Sequence, residues 1–375
     1  MDKFVLVAPC LFGLESLVKD EIYDLGYDTL SVSDGRVCFE GDVEAIARSN
    51  MGLACAERVL IRLAEFEALD FEALYQGVKS IPWQDYIGRN DVFPVSGHAI
   101  KSRLHSVPDC QKIIKKAIVD RLSHAYGLSW LPETAQTVSI EFFIMKDIAA
   151  IMIDTTGLPL HKRGYRAEGN IAPIRETLAA AMIRQMRYRG RDAFADPMCG
   201  SGTIAIEAAI RATGTAPGLF RSFSFENHGF ISSCDIKGIR EEAKSEIRPN
   251  ENIILASDLD PTMCELTKRN AKKAGVDHIV KVSQGDLHNF DPKVDGGVLI
   301  CNPPYGERMG EAKECERLYG EMGKSFSKLN GWRVGIITSH EEFERCYGRR
   351  ADRKRKMYNG MIKCDFYQYF KDSAR

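Results

Sequence analysis

From about residue 170 onward the chain alternates short apolar runs with amphipathic segments, and that rhythm leaves few folds open. Strand-sized runs stand at residues 193–196, 253–257, 279–283, 298–301 and 334–338. Helical periodicity fills the gaps, for example over residues 261–274 and 314–329. Strands covered on both faces read as continuous apolar runs, and repeated strand–helix units join them as parallel neighbours. The expectation is a parallel sheet with helices on both faces. The chain then ends in a hairpin, residues 354–358 and 361–370, about the dipeptide Asn359-Gly360, the strongest short hairpin signal.

The first 160 residues read differently. Residues 4–7, 37–39 and 59–66 suggest strands, with helical spacing over 13–25 (Leu14, Leu17, Val18, Ile22) and over 43–51 behind a cap at Asp42. A second α/β unit follows, with a helix near 71–79, an extended stretch at 92–95 and paired strands at 139–145 and 148–154. Ser106-Val107-Pro108-Asp109 announces another helix, Pro being suited to a first turn. On it Ile113, Ile114, Ala117, Ile118, Leu122 and Ala125 share one face, and Lys112, Lys115 and Lys116 lie on the other. At 375 residues the chain has room for two or three domains.

Composition removes several classes of function. No run approaches the ~20 apolar residues that span a bilayer, so no membrane partner is expected. The opening apolar stretch, Phe4 to Val7, is too short for a signal peptide; the expected compartment is the cytoplasm. The 11 cysteines are scattered, with no Cys-x-x-Cys pair, so neither a zinc site nor a disulfide framework is expected. The net charge of −1 hides a gradient: residues 1–65 hold 6 Lys/Arg against 12 Asp/Glu, and residues 166–375 hold 34 against 29. A polyanion would avoid the first segment.

Four motifs carry the chemistry, each at the end of a parallel strand. Asp196-Pro197-Met198-Cys199-Gly200-Ser201-Gly202-Thr203 opens a helix over 204–211. It lacks the third glycine of the dinucleotide fingerprint and the Gly-Lys-Ser/Thr of a P-loop. Ligands of parallel sheets bind beyond such strand ends, where a glycine turn lets backbone approach them. Asp258, ending the second strand, is placed to accept hydrogen bonds from ribose hydroxyls, whereas Asp260 before Pro261 reads as a helix N-cap. Asp286, after the third strand, could receive an adenine amino group. Asn302-Pro303-Pro304-Tyr305 follows the fourth. A base's exocyclic amine is a poor nucleophile because its lone pair is delocalised. The Asn302 oxygen and the Pro303 carbonyl could accept both amine hydrogens and favour the pyramidal nitrogen that attacks. Tyr305 could stack on a base withdrawn from its neighbours.

In this order the motifs resemble the class I S-adenosylmethionine-dependent methyltransferases of the amino-methylating branch. Leu160-His161-Lys162-Arg163-Gly164-Tyr165-Arg166, Ile174 through Ala180, Ala216-Pro217-Gly218, residues 101–106 and residues 111–118 resemble the bacterial THUMP-domain ribosomal RNA methyltransferases. The resemblance covers nearly the whole chain. It implies an α/β fold: a Rossmann-like class I methyltransferase domain (161–375) preceded by ferredoxin-like (1–64) and THUMP (65–160) α+β domains. It implies S-adenosylmethionine as cofactor, with no metal, and methyl transfer to guanine N2 of large-subunit ribosomal RNA or its precursor, although many relatives carry an older name as N6-adenine-specific DNA methylases. By motif, Asp196, Gly200 and Gly202 would surround the methionine end, Asp258 the ribose and Asp286 the adenine, with Thr177 closing the pocket. Cys199, Thr203, Leu259 and Leu287 complete the cofactor-binding set; Asn302, Pro303, Pro304 and Tyr305 form the catalytic one. RNA would meet Lys101, Arg103, Lys112, Lys115 and Lys116, and Arg353 and Arg355 within the basic run 349–356. The rival readings are an N6-adenine nucleic-acid methyltransferase, a protein-glutamine methyltransferase and a non-catalytic RNA-binding assembly protein.

Overall fold

In a computed structural model, which describes residues 3–166, 174–306 and 311–370, the strand signals gather into two seven-stranded sheets. The first contains β1 (Phe4–Pro9), β2 (Thr29–Ser33), β3 (Arg36–Gly41), β4 (Leu60–Glu67), β5 (Val95–Ile100), β6 (Ile140–Met145) and β7 (Ile148–Asp154), ordered β2-β3-β1-β4-β7-β6-β5. Its neighbours are antiparallel except β5 and β6. The two small units expected in this region are fused at one seam, β4 on β7, from Leu60↔Asp154 to Glu67↔Ile148.

Helix Val107–Tyr126 lies between β5 and β6 in sequence, with Pro108 in its first turn and Gly127 (φ +62°) as its left-handed stop. It buries Cys110, Ile114, Ala117, Ile118 and Leu122. Two strands differ from the sequence expectation. The extended stretch expected at 92–95 contributes one bridge, Val92 to Thr137, and the strand proper begins at Val95. Gly97 interrupts that strand's pattern because a Cβ there would lie 2.1 Å from the Phe142 carbonyl oxygen. β2 was not anticipated: nearly all of it is exposed, so it carries no buried stripe.

The second sheet contains β8 (Ala193–Asp196), β9 (Ile254–Asp258), β10 (Val280–Gln284), β11 (Gly297–Cys301), β12 (Trp332–Thr338), β13 (Arg353–Asn359) and β14 (Ile362–Tyr369), ordered β10-β9-β8-β11-β12-β14-β13. The first five are parallel and the terminal hairpin adds antiparallel. The order reverses between β8 and β11, the topological switch point where parallel sheets place their ligands. The hairpin is offset by one residue from the expectation: Asn359 pairs with Ile362, so Gly360 and Met361 form the turn.

The chain divides into two compact units, each holding one sheet. The first comprises Met1–Cys10, Val18–Leu160 and Ser222–Glu241; the second comprises Leu11–Leu17, His161–Arg221 and Glu242–Arg375. The segment Ser222–Glu241 falls between strands of the second sheet in sequence, yet it packs in the first unit. There the Phe225 N–H donates to the Thr155 carbonyl (3.0 Å), and Phe230 meets Tyr86 edge to face.

Candidate active site

At the switch point, a cavity of about 290 Å³ is lined by Ile174, Asp196, Met198, Cys199, Gly200, Ser201, Thr203, Ile204, Met263 and Asn302. It joins the end of β8 to the end of β11, so the first and last sequence motifs share one space. The glycine turn between β8 and helix Thr203–Thr213 takes φ of +52° at Gly200 and +86° at Gly202. Gly202 is required twice over: its φ is left-handed, and a Cβ would stand 2.6 Å from Thr267 Cγ2. The turn is held from outside as well. The Thr267 hydroxyl donates to the Gly200 carbonyl (2.8 Å), and Asn270 Nδ2 donates to that of Ser201 (2.9 Å).

Asp196 is 1% exposed. Its Oδ1 accepts weakly from the Met198 N–H (3.4 Å), and its Oδ2 has no partner among the described residues. Burial, with Asp258 nearby, holds its carboxyl well above the ordinary range. A buried carboxylate left unpaired is costly unless a cation comes to it. S-adenosylmethionine brings an ammonium and a sulfonium, so the donor set and the glycine cradle fit it.

Asp258 is half-buried and already engaged. One oxygen accepts from the Gly200 N–H (2.8 Å), the other from the Asp260 N–H (3.0 Å). Asp260 is the N-cap of helix Pro261–Lys273, as the sequence suggested. Leu259 is 69% exposed beside them. Asp286 is an exposed cap of the short turn Leu287–Asn289, paired with His288 Nδ1 (2.6 Å), while Leu287 is buried. Thr177 is fully buried on helix Glu176–Gln185, and Ile174 ahead of that helix lines the cavity. Burial pushes the Cys199 and Cys301 thiols up; both stay protonated and neither is a nucleophile.

In the Asn302–Tyr305 turn, Pro303 is buried and Pro304 exposed. The Pro304 carbonyl accepts from the Tyr319 hydroxyl (2.6 Å). The Tyr305 hydroxyl donates to Asn302 Oδ1 (2.6 Å), and burial raises its phenol pKa. The tyrosine hydroxyl therefore holds the Asn302 amide oxygen in place.

Sequence reasoning named Arg166 only as part of a motif, but the structure gives it a post. Its guanidinium donates to the Ile174 carbonyl (3.0 Å) and the Thr203 hydroxyl (2.7 Å) and pairs with Glu176 (3.1 Å), so it ties two walls of the cavity together. Beneath it, Arg163 and Glu207 form a wholly buried pair through two contacts of 3.4 Å, and the Tyr165 hydroxyl donates to the same carboxylate (3.1 Å). Nothing local marks Thr267, Asn270 or Met263 as site residues; they converge only when the helix packs.

The cations split into two groups. In the first unit Lys101, Arg103, Lys112 and Lys116 are exposed or half-exposed at the loop after β5 and along helix Val107–Tyr126. Lys115 corrects the expectation of three lysines on one solvent face. Its Nζ bonds the Phe93 carbonyl (3.0 Å) and Glu133 (2.8 Å), 3.3 Å above the Phe93 ring centroid. In the second unit Arg353 and Arg355 are exposed on β13, whereas Lys354 pairs with Asp365 (3.1 Å). Among the described residues no cluster of His, Cys, Asp and Glu could hold a metal ion, and no helix is long and apolar enough to cross a membrane.

Comparison with known proteins gives three domain matches: an RlmL ferredoxin-like domain at residues 5–60, a THUMP domain at 68–154 and an RMKL-like methyltransferase domain at 163–368. YpsC of Bacillus subtilis (strain 168), whose name assigns it to the RNA methyltransferases, is 43% identical over 99% of this chain and 97% of its own. The ribosomal RNA large subunit methyltransferase K/L of Psychromonas ingrahamii is 34% identical over 96% of this chain, which spans about half the length of that relative (49%). SMU.472, crystallised with SAH, superposes with a TM-score of 0.93 at 41% identity and covers 100% of both chains. A Listeria monocytogenes str. 4b F2365 structure, named by prediction as an N6-adenine-specific DNA methylase, gives 0.93 at 41% over 99% of this chain and 97% of its own.

Proposed function

Because the chain belongs to the RMKL-like methyltransferase family and uses S-adenosylmethionine, we propose that it methylates the N2 amine of a guanine in large-subunit ribosomal RNA. The observation that carries methyl transfer is the pairing, in one cavity, of the partnerless Asp196 Oδ2 with Asn302. The cofactor supplies an electrophilic methyl on a sulfonium. Asp196 would hold its ammonium, the Gly200–Gly202 backbone would lie along its methionine end, and Asp258 and Asp286 would receive its ribose and adenine. Asn302 Oδ1 has two acceptor sites. Tyr305 occupies one and keeps the amide turned; the other is left for an amine hydrogen, with the Pro303 carbonyl for the second. Positioning of donor and amine then supplies most of the rate.

RNA as substrate is supported by the THUMP match, and guanine N2 in ribosomal RNA by the resemblance and by the names of the K/L relatives. Such a substrate puts the enzyme in the cytoplasm. A second reading, N6 of adenine, is favoured by the Listeria relative's name and by a motif that accepts any planar amine. The test is to incubate unmodified large-subunit ribosomal RNA with enzyme and methyl-labelled cofactor, digest it and identify the labelled nucleoside. N2-methylguanosine is expected; label in N6-methyladenosine would overturn the guanine assignment and leave methyl transfer standing.

A further inference from the structure

Met361 is 98% exposed, more than any other large hydrophobic side chain among the described residues. It stands at the tip of the β13–β14 hairpin, where Gly360 takes φ of +65° and Asn359 pairs with Ile362. A two-residue turn with glycine first is stiff and matches strand twist, so the methionine is held out rather than left on a loose loop. The hairpin also meets the catalytic turn. Asn359 Nδ2 reaches the Tyr305 hydroxyl (3.5 Å), the Cys364 thiol lies against the same hydroxyl, and Tyr305 in turn donates to Asn302. One residue, Gly360, separates Met361 from Asn359, the first of these contacts. Behind it, β13 presents Arg353 and Arg355 to solvent.

A base inside a stack cannot bring its amine to a recessed asparagine; it must be turned out, and the gap it leaves tends to close again. Nucleic-acid-bending proteins hold such gaps open with an apolar side chain inserted between base steps. Methionine suits an irregular gap because it is unbranched, flexible and polarisable. We propose that Met361 is that wedge: it enters the RNA stack beside the target nucleotide while Arg353 and Arg355 hold flanking phosphates. It is a positioning residue, and the proposal rests on the RNA methyl-transfer reading above.

The test compares the wild type, Met361→Ser and Met361→Leu in single-turnover methyl transfer, with unmodified large-subunit ribosomal RNA presented folded with magnesium or fragmented and heat-denatured. A wedge matters most where a stack must be opened. Met361→Ser should therefore slow transfer to folded RNA about tenfold more than transfer to the denatured fragments. Met361→Leu should restore most of the difference. Thermal unfolding of each variant reports whether the domain is intact. Equal losses on the two RNAs, or no loss on folded RNA, would overturn the wedge while the wild type still labels RNA. No label from the wild type on either RNA would overturn the methyl-transfer reading, and the wedge with it.

Discussion

The two sheets have equal strand numbers and differ in where they set their charge. The first is largely antiparallel and leaves Lys101, Arg103, Lys112 and Lys116 exposed on helix Val107–Tyr126 and the loop after β5, while it buries Glu21 and Asp154, the latter paired with Arg58. The second buries charge around its first parallel strand: Asp196 ends β8, and Glu176, Glu207 and Arg163 lie on the neighbouring helices and the segment before them, all under 5% exposed. An exposed cation is cheap to keep and free to find a phosphate. A buried carboxylate is costly to keep and is retained where it acts on something specific. The first unit thus presents a row of exposed cations, and the second a set of buried charges around its cavity.

The sharpest way to break this comparison is to remove a buried charge from the second unit. Arg163→Met leaves Glu207 uncompensated and should cost about 3–5 kcal/mol of stability, as for a broken buried pair. Arg163→Met with Glu207→Leu should recover most of it. Denaturant unfolding measures both, and a single mutant as stable as the parent would mean the pair is not what closes this core. Asn302→Ala comes next. It should keep cofactor and RNA affinity and lose about 10²–10³ in single-turnover rate, the size of effect seen when one preorganised polar contact to a reacting group is deleted.

The first unit has a buried titratable group of its own. His228 is 2% exposed, and burial holds its imidazole down from 6.5 to about 4. Between those values the unfolded chain carries a proton that the folded one refuses, so stability falls as pH drops from about 6.5 toward 4. The loss should reach roughly 2–3 kcal/mol by about pH 4.5, and His228→Phe should flatten that part of the profile. Asp258→Ala should weaken S-adenosylmethionine binding by about 1.5–3 kcal/mol, read by calorimetry. Asp258→Asn, which keeps an acceptor for the Gly200 N–H, should lose less; equal losses would assign the whole effect to the ribose rather than to the turn.

The second sheet was legible because β8, β9, β11 and β12 are largely buried and announce themselves as apolar runs, with a motif following β8, β9 and β11. Where burial is one-sided or absent, the signal fades: β2 has no buried stripe, and β5 is broken by Gly97. The position of Ser222–Glu241 in the first unit depends on contacts with β7's end and Tyr86, which no local pattern encodes. At the site, residue types at strand ends were readable, whereas their present partners were not. Tyr305 turned inward to Asn302, and the Gly200 N–H bonded to Asp258, follow from packing that brings distant segments together. The hairpin shows how narrow the margin is: Asn359-Gly360 marks the turn, yet pairing of Asn359 with Ile362 moves its centre by one residue and puts Met361 at the tip.

The smallest effects distinguish lysines that neighbour one another in sequence. Lys112 and Lys116 share a helical face and are exposed, Lys112 only loosely near Asp109 at 3.6 Å. If they meet phosphates, each releases counterions on binding, and Lys112→Ala with Lys116→Ala should lower the salt slope of RNA affinity by about 1.5–2 while cofactor affinity stays put. Lys115 lies a quarter-turn away, over Phe93 and against Glu133. Its removal should leave the salt slope alone and instead cost about 1 kcal/mol of stability at most, the range of a partly exposed ion pair with a cation–π contact. Filter binding across a salt series, set beside urea unfolding, separates the two outcomes. A changed slope from Lys115→Ala would make it an RNA contact after all and return the helix to three lysines of one kind.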